Sequence, residues 1–113
     1  MALFSRETLA QVFWDGQESS YTPWWGSTRW PNGLPKEGEE TYAWPYPCYL
    51  EEIDEDYQVI QEYLLEAHDI EAAIIKYADL SVEDNVCAIV EDMDLVICDN
   101  ILQLACFGEI RYG

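Results

Sequence analysis

Carboxylates dominate the chemistry this sequence could perform. Two short motifs, Asp54-x-Asp56 and Asp92-x-Asp94, hint at divalent-cation binding. Neither continues into a calcium loop, with glycine at the sixth position and glutamate at the twelfth. His68 is the only histidine and has no paired cysteines near it, which argues against zinc. It is expected as a residue following a long helix, near that helix's C-terminal dipole. No nucleophile–base pair, GxSxG, P-loop or dinucleotide fingerprint is present. Paired carboxylates are too abundant here to argue glycosidase chemistry by their presence alone. The expectation is a protein that is not an enzyme and has no cofactor or metal.

Collectively the carboxylates say more. The segment 50–67 carries Glu51, Glu52, Asp54, Glu55, Asp56, Glu62 and Glu66. Its apolar residues Leu50, Ile53, Tyr57, Ile60, Leu64 and Ala67 step by three and four, which predicts a helix. At a rise of about 1.5 Å per residue, the seven acids would span roughly 22 Å, about one per 3 Å. A single DNA strand presents one phosphate per about 3.4 Å. Glu51, Glu55, Glu62 and Glu66 would share a polar face with Gln58, and Asp84, Glu91, Asp92, Asp94 and Asp99 would extend the field on a second helix. An ordinary amphipathic helix also has a polar outer face, but it would carry lysine at i+4 from glutamate to neutralise itself. Here Lys76 is the main exception to an almost wholly anionic pattern.

In composition, size and charge the chain resembles phage-encoded DNA-mimic inhibitors, which block restriction enzymes or CRISPR effectors by occupying their DNA channels. The likeness is one of class, carried by surface character and by no aligned motif. It implies a basic nucleic-acid-binding partner and charge-assisted contacts to that partner's lysines and arginines.

Composition bounds the rest. The 113 residues suit one domain, and 50% apolar with 14% aromatic content is enough to build a core. The net charge of −18 exceeds what solubility needs and works against compactness. It is also uneven. Residues 1–48 hold six acids and three bases, whereas 49–113 hold seventeen acids and two bases. A source-wide solubility bias would spread more evenly, so a dedicated acidic surface is expected. The start, MALFSRETLAQ, lacks the apolar run of a secretory signal, and no stretch is long enough to span a bilayer. An anionic surface would be repelled by nucleic acid and by anionic lipid alike. Cys48, Cys87, Cys98 and Cys106 lack disulfide-like spacing, so a reducing, cytoplasmic setting is expected.

These side chains need a frame. Residues 5–15 predict a short helix with Ser5 as N-cap, Leu9, Val12 and Phe13 inward, and Gly16 as its end. Residues 17–48 hold all five prolines and read as an irregular aromatic arm, with a turn at 30–35 and room for a small hairpin. Pro45 and Pro47 confine 41–49 to an extended or edge strand. After the long helix a second is expected near 69–79, with Ile70, Ala73, Ile74 and Tyr77 inward. Ser81–Asp84 reads as a capping box opening a helix over 82–106, which Gly108 stops. The expected architecture is mainly α: a small helical domain bearing an N-terminal aromatic, proline- and glycine-rich arm. The alternative is α+β with a hairpin at 85–98.

Trp24, Trp25, Trp30 and Tyr46 serve either as packing or as interface anchors. Three functions follow from these readings. The first is a DNA-mimic inhibitor, phage- or mobile-element-encoded, of a host restriction or CRISPR nuclease. The second is an immunity protein or antitoxin against one basic toxin, using aromatic anchors as well as charge. The third is an acidic accessory subunit, with homodimerisation open in each case.

Overall fold

The computed structural model describes residues 4–18, 24–33, 42–80, 86–91 and 93–112. The elements run α1 Arg6–Glu18, β1 Trp25–Arg29, β2 Cys48–Ile53, β3 Val59–Leu65, α2 Ala67–Leu80, α3 Val86–Glu91 and α4 Leu95–Phe107. The architecture is α+β: helices against a three-stranded antiparallel sheet of order β1-β2-β3. This overturns the mainly α expectation.

The correction centres on 50–67. That segment is a β-hairpin, not a helix, and Cys48 pairs with Leu65, Leu50 with Tyr63, Glu51 with Glu62 and Glu52 with Gln61. β-branched and aromatic residues such as Tyr49, Ile53, Val59, Ile60 and Tyr63 suit a pleated sheet. Strand alternation sends Cys48, Leu50 and Glu52 inward with Leu65, and all four are buried. Tyr49, Glu51, Glu62 and Leu64 take the opposite face. β2 is the central strand, with Pro45 and Pro47 lying just before it, where a missing N–H does no harm.

The stretch 82–106 is neither one helix nor a hairpin. It holds α3 and α4, because Asp94 caps a fresh helix: its Oδ1 accepts the Ile97 N–H at 2.8 Å. The expected capping box at 81–84 lies outside the described residues. Gly108 ends α4 in the left-handed region at φ 75°, and its N–H donates to the Leu104 carbonyl. α1 starts as expected, with Ser5 Oγ accepting the Thr8 N–H at 3.1 Å and Leu9, Val12 and Phe13 buried. It does not stop at Gly16, which is buried in the helix's last turn, but runs on to Glu18. α2 buries Ile70, Ala73, Ile74 and Ala78, with Tyr77 packed at the margin.

α4 is apolar nearly all round and lies between α1 and α2 in the core, touching β3 as well. No helix among the described residues is long and apolar enough to cross a membrane.

Candidate partner-binding surface

The hairpin decides where the acids go. Asp54, Glu55 and Asp56 sit in its tip. The Tyr57 N–H donates to the Asp54 carbonyl at 3.0 Å, and the Asp54 N–H to the Gln58 carbonyl at 3.0 Å. Asp54 Oδ1 accepts the N–H groups of Asp56 and Gln58, both at 2.9 Å, so this carboxylate closes the turn. The two Asp-x-Asp motifs thus have local roles through Asp54 and Asp94. No cluster of His, Cys, Asp or Glu that could hold a metal occurs among the described residues.

A three-residue hairpin of this type places a left-handed residue at the loop's last position, normally glycine. Here it is Tyr57, at φ 63° and 76% exposed. A bulky side chain in that conformation costs about 1 kcal/mol, and such strain gathers at functional positions. Tyr57→Gly is therefore expected to raise stability by about 1 kcal/mol, read as a higher urea midpoint at unchanged slope. A lower midpoint would remove the case for strain at the tip.

On the sheet face away from the helices, Glu51 and Glu62 are direct cross-strand partners, an unfavourable like-charge pair. Two contacts offset it. Arg29 Nη2 lies 3.0 Å from Glu62 Oε1 and its guanidinium sits 4.2 Å from the centre of the Tyr49 ring, while Glu51 Oε1 accepts the Ser27 N–H at 3.0 Å. Glu66 stands at the strand–helix junction, 3.5 Å from His68. His68 itself is exposed in the first turn of α2, not after a helix. It is flanked by Glu66 and Asp69.

Glu52 does not belong to any surface array. It is 2% exposed, and its carboxylate accepts the hydroxyls of Tyr63 at 2.8 Å and Tyr112 at 2.6 Å, with Arg111 Nη1 at 3.4 Å. Asp99 accepts the Trp24 indole N–H at 2.8 Å and the Gln103 amide at 3.1 Å, so it too works inside the fold. Glu91 and Asp94 are exposed on α3 and at the start of α4. Asp84 and Asp92 lie outside the described residues. The single-file helix stripe therefore does not exist. What the structure brings together is Asp54, Glu55 and Asp56 at the tip, Glu51 and Glu62 on the outer face, and Glu66 at the hairpin's base.

Apart from Arg29 on Glu62, the described cations do little to dilute that field. Arg6 lies 4.0 Å over Trp44, Lys76 Nζ donates to the Gly108 carbonyl, and Arg111 pairs with Glu109 and Glu52.

The aromatic anchors are mostly occupied. Trp24 is buried and stacks on Tyr112, Trp30 stacks on Trp14 and donates to the Pro45 carbonyl, and the buried Tyr46 hydroxyl donates to the Leu9 carbonyl. Trp25 is half-buried, and its indole N–H has no acceptor among the described residues. Burial pushes the Cys48 and Cys98 thiols up to about 12 and raises that of Cys106 further, which leaves them unreactive at neutral pH.

Sequence reasoning missed Tyr57 and the exposed strand β3. The β-rich content of 57–63 was the available signal. Fold and surface together define a small α+β protein with helices on one sheet face and an exposed acidic turn closing the β2–β3 hairpin. No protein-family model, curated protein or solved structure matches this chain.

Proposed function

We propose that this protein is a non-catalytic, acidic binding protein that occupies the cationic channel of a nucleic-acid-binding protein in place of DNA. In this reading it is a phage- or mobile-element-encoded inhibitor of a restriction or CRISPR nuclease, acting in the host cytoplasm. The observation that carries the reading is the acidic hairpin on a chain of net −18, whose described cations are engaged within the molecule. Exposed carboxylates at a turn can enter a groove lined with lysine and arginine. Long-range attraction and counterion release would favour association, as they do for nucleic acid.

A second reading, an immunity protein or antitoxin with one cognate toxin, is favoured by Tyr57. An exposed, conformationally strained aromatic among carboxylates has the character of an interface hot spot.

The test uses the immobilised protein to retain basic nucleic-acid-binding proteins from host lysate, followed by challenge with excess duplex DNA. Displacement by DNA and by salt is expected. Joint reversal by Glu55→Lys, Asp56→Lys and Glu66→Lys is expected to slow association by about tenfold or more. Retention that resists both duplex DNA and the triple reversal would overturn mimicry, and its loss on Tyr57→Ala alone would favour the cognate-toxin reading.

A further inference from the structure

β3 is an edge strand, because the sheet order leaves nothing paired to its outer side among the described residues. Alternation in an antiparallel ladder directs roughly every second N–H and C=O of such a strand away from its neighbour. Along this edge Val59 is 56% exposed, Ile60 54% and Leu64 44%, with Gln61 and Glu62 exposed between them. Proteins normally blunt an edge of this kind with proline, lysine, a bulge or a very short strand. β3 has seven residues with no proline and no lysine. Its one irregularity is a bulge at its start, where Ile60 is the extra residue between Val59 and Gln61, and its register is regular from Gln61 to Leu65. β1, at the opposite edge, has five residues and an irregular register between Trp25 and Thr28, which makes it the poorer template.

Over that regular stretch the protection is negative charge, from Glu62 within the strand, Glu66 after it and Glu55 and Asp56 before it. That protection is selective. A second copy of this strand would bring like charges together on chains of net −18, whereas a cationic strand would be drawn in. We propose that the outer edge of β3 binds an extended, lysine- and arginine-rich segment of the partner as a fourth strand of the sheet. Backbone hydrogen bonds supply the affinity. Glu62 and Leu64 share a face, so the incoming strand places a cationic residue opposite Glu62 and an apolar one two residues away, opposite Leu64.

This inference rests on the cationic-partner reading and narrows it to one mode of docking. The probe is a peptide of about ten residues alternating lysine and valine, compared with the same peptide N-methylated at alternate positions so that it cannot complete a ladder. Binding is followed by fluorescence anisotropy, and β3 amide protection by hydrogen exchange. The unmodified peptide is expected to bind, to protect β3 amides, and to bind about tenfold or more tightly than its N-methylated form. Equal binding by the two peptides overturns strand addition and leaves the cationic-partner reading standing. Absence of salt-sensitive binding by either peptide overturns both. A homodimer in sedimentation whose β3 amides are protected without peptide overturns the choice of occupant.

Discussion

Glu52→Ala is expected to destabilise the fold by about 3 kcal/mol, while Glu55→Ala, three residues away, stays within about 0.5 kcal/mol. Glu52 is buried where β2 meets the C-terminal segment. Its loss leaves the Tyr63 and Tyr112 hydroxyls without their acceptor and releases Arg111. The same segment is held by Gln103, whose Oε1 accepts the N–H groups of Arg111 and Tyr112 at 2.9 and 2.8 Å and whose amide donates to the Tyr112 carbonyl at 2.8 Å. Removing the carboxylate therefore loosens a clamp that joins sheet, α4 and tail. Urea unfolding of both variants checks this, and a Glu52→Ala cost below about 1 kcal/mol would contradict the buried network.

The clamp also carries a pH signature. The hydrogen bond to Glu52, and then burial, push the Tyr112 hydroxyl up to about 12 from an ordinary 10.0. Tyr63 is raised by burial and by the same carboxylate, and Tyr46 well above its usual value chiefly by burial. The folded state thus favours the neutral phenols. The Tyr112 contribution is complete below about pH 10 and is lost as pH rises through about 12, and Tyr63 and Tyr46 act in the same direction. Stability should fall across that window, and Tyr112→Phe should flatten the fall without abolishing it.

Gly16→Ile is the second large effect, a loss of about 3 kcal/mol with α1 displaced from α4. A β-carbon at Gly16 would stand 3.1 Å from the Cys98 carbonyl oxygen, 3.2 Å from its carbon and 3.2 Å from Leu102 Cδ2. Backbone cannot swing aside as a side chain does. Helix propensity opposes this cost, since glycine is the poorer helix former by up to about 1 kcal/mol. The added bulk of isoleucine outweighs that gain. Thermal unfolding monitored by circular dichroism is the measurement, and an unchanged or raised midpoint would show that the two helices tolerate a wider spacing.

Local chemistry was legible where neighbours in sequence do the work. Ser5 as a cap, the inward stripe Leu9–Val12–Phe13, the helix around Ile70–Ile74 and the stop at Gly108 each depend on residues within a turn or two. The sign of the surface was legible too, because seventeen acids against two bases cannot all be hidden. The hairpin was not. Leu50, Ile53, Tyr57, Ile60 and Leu64 satisfy helical spacing, yet in the structure Tyr57, Ile60 and Leu64 are exposed while Leu50 and Ile53 are buried.

Only tertiary structure could choose between those two periods. A strand gains its hydrogen bonds from a partner elsewhere in the chain, and β2 finds β3 on one side and β1 on the other. Once paired, Cys48, Leu50 and Leu65 bury against the helices, and alternation carries Glu52 inward with them to meet Tyr112, sixty residues away. Which acids face a partner and which face the core is thereby set by long-range pairing. A one-dimensional pattern holds the total charge of this protein, but the direction each charge points is fixed by contacts that sequence spacing does not record.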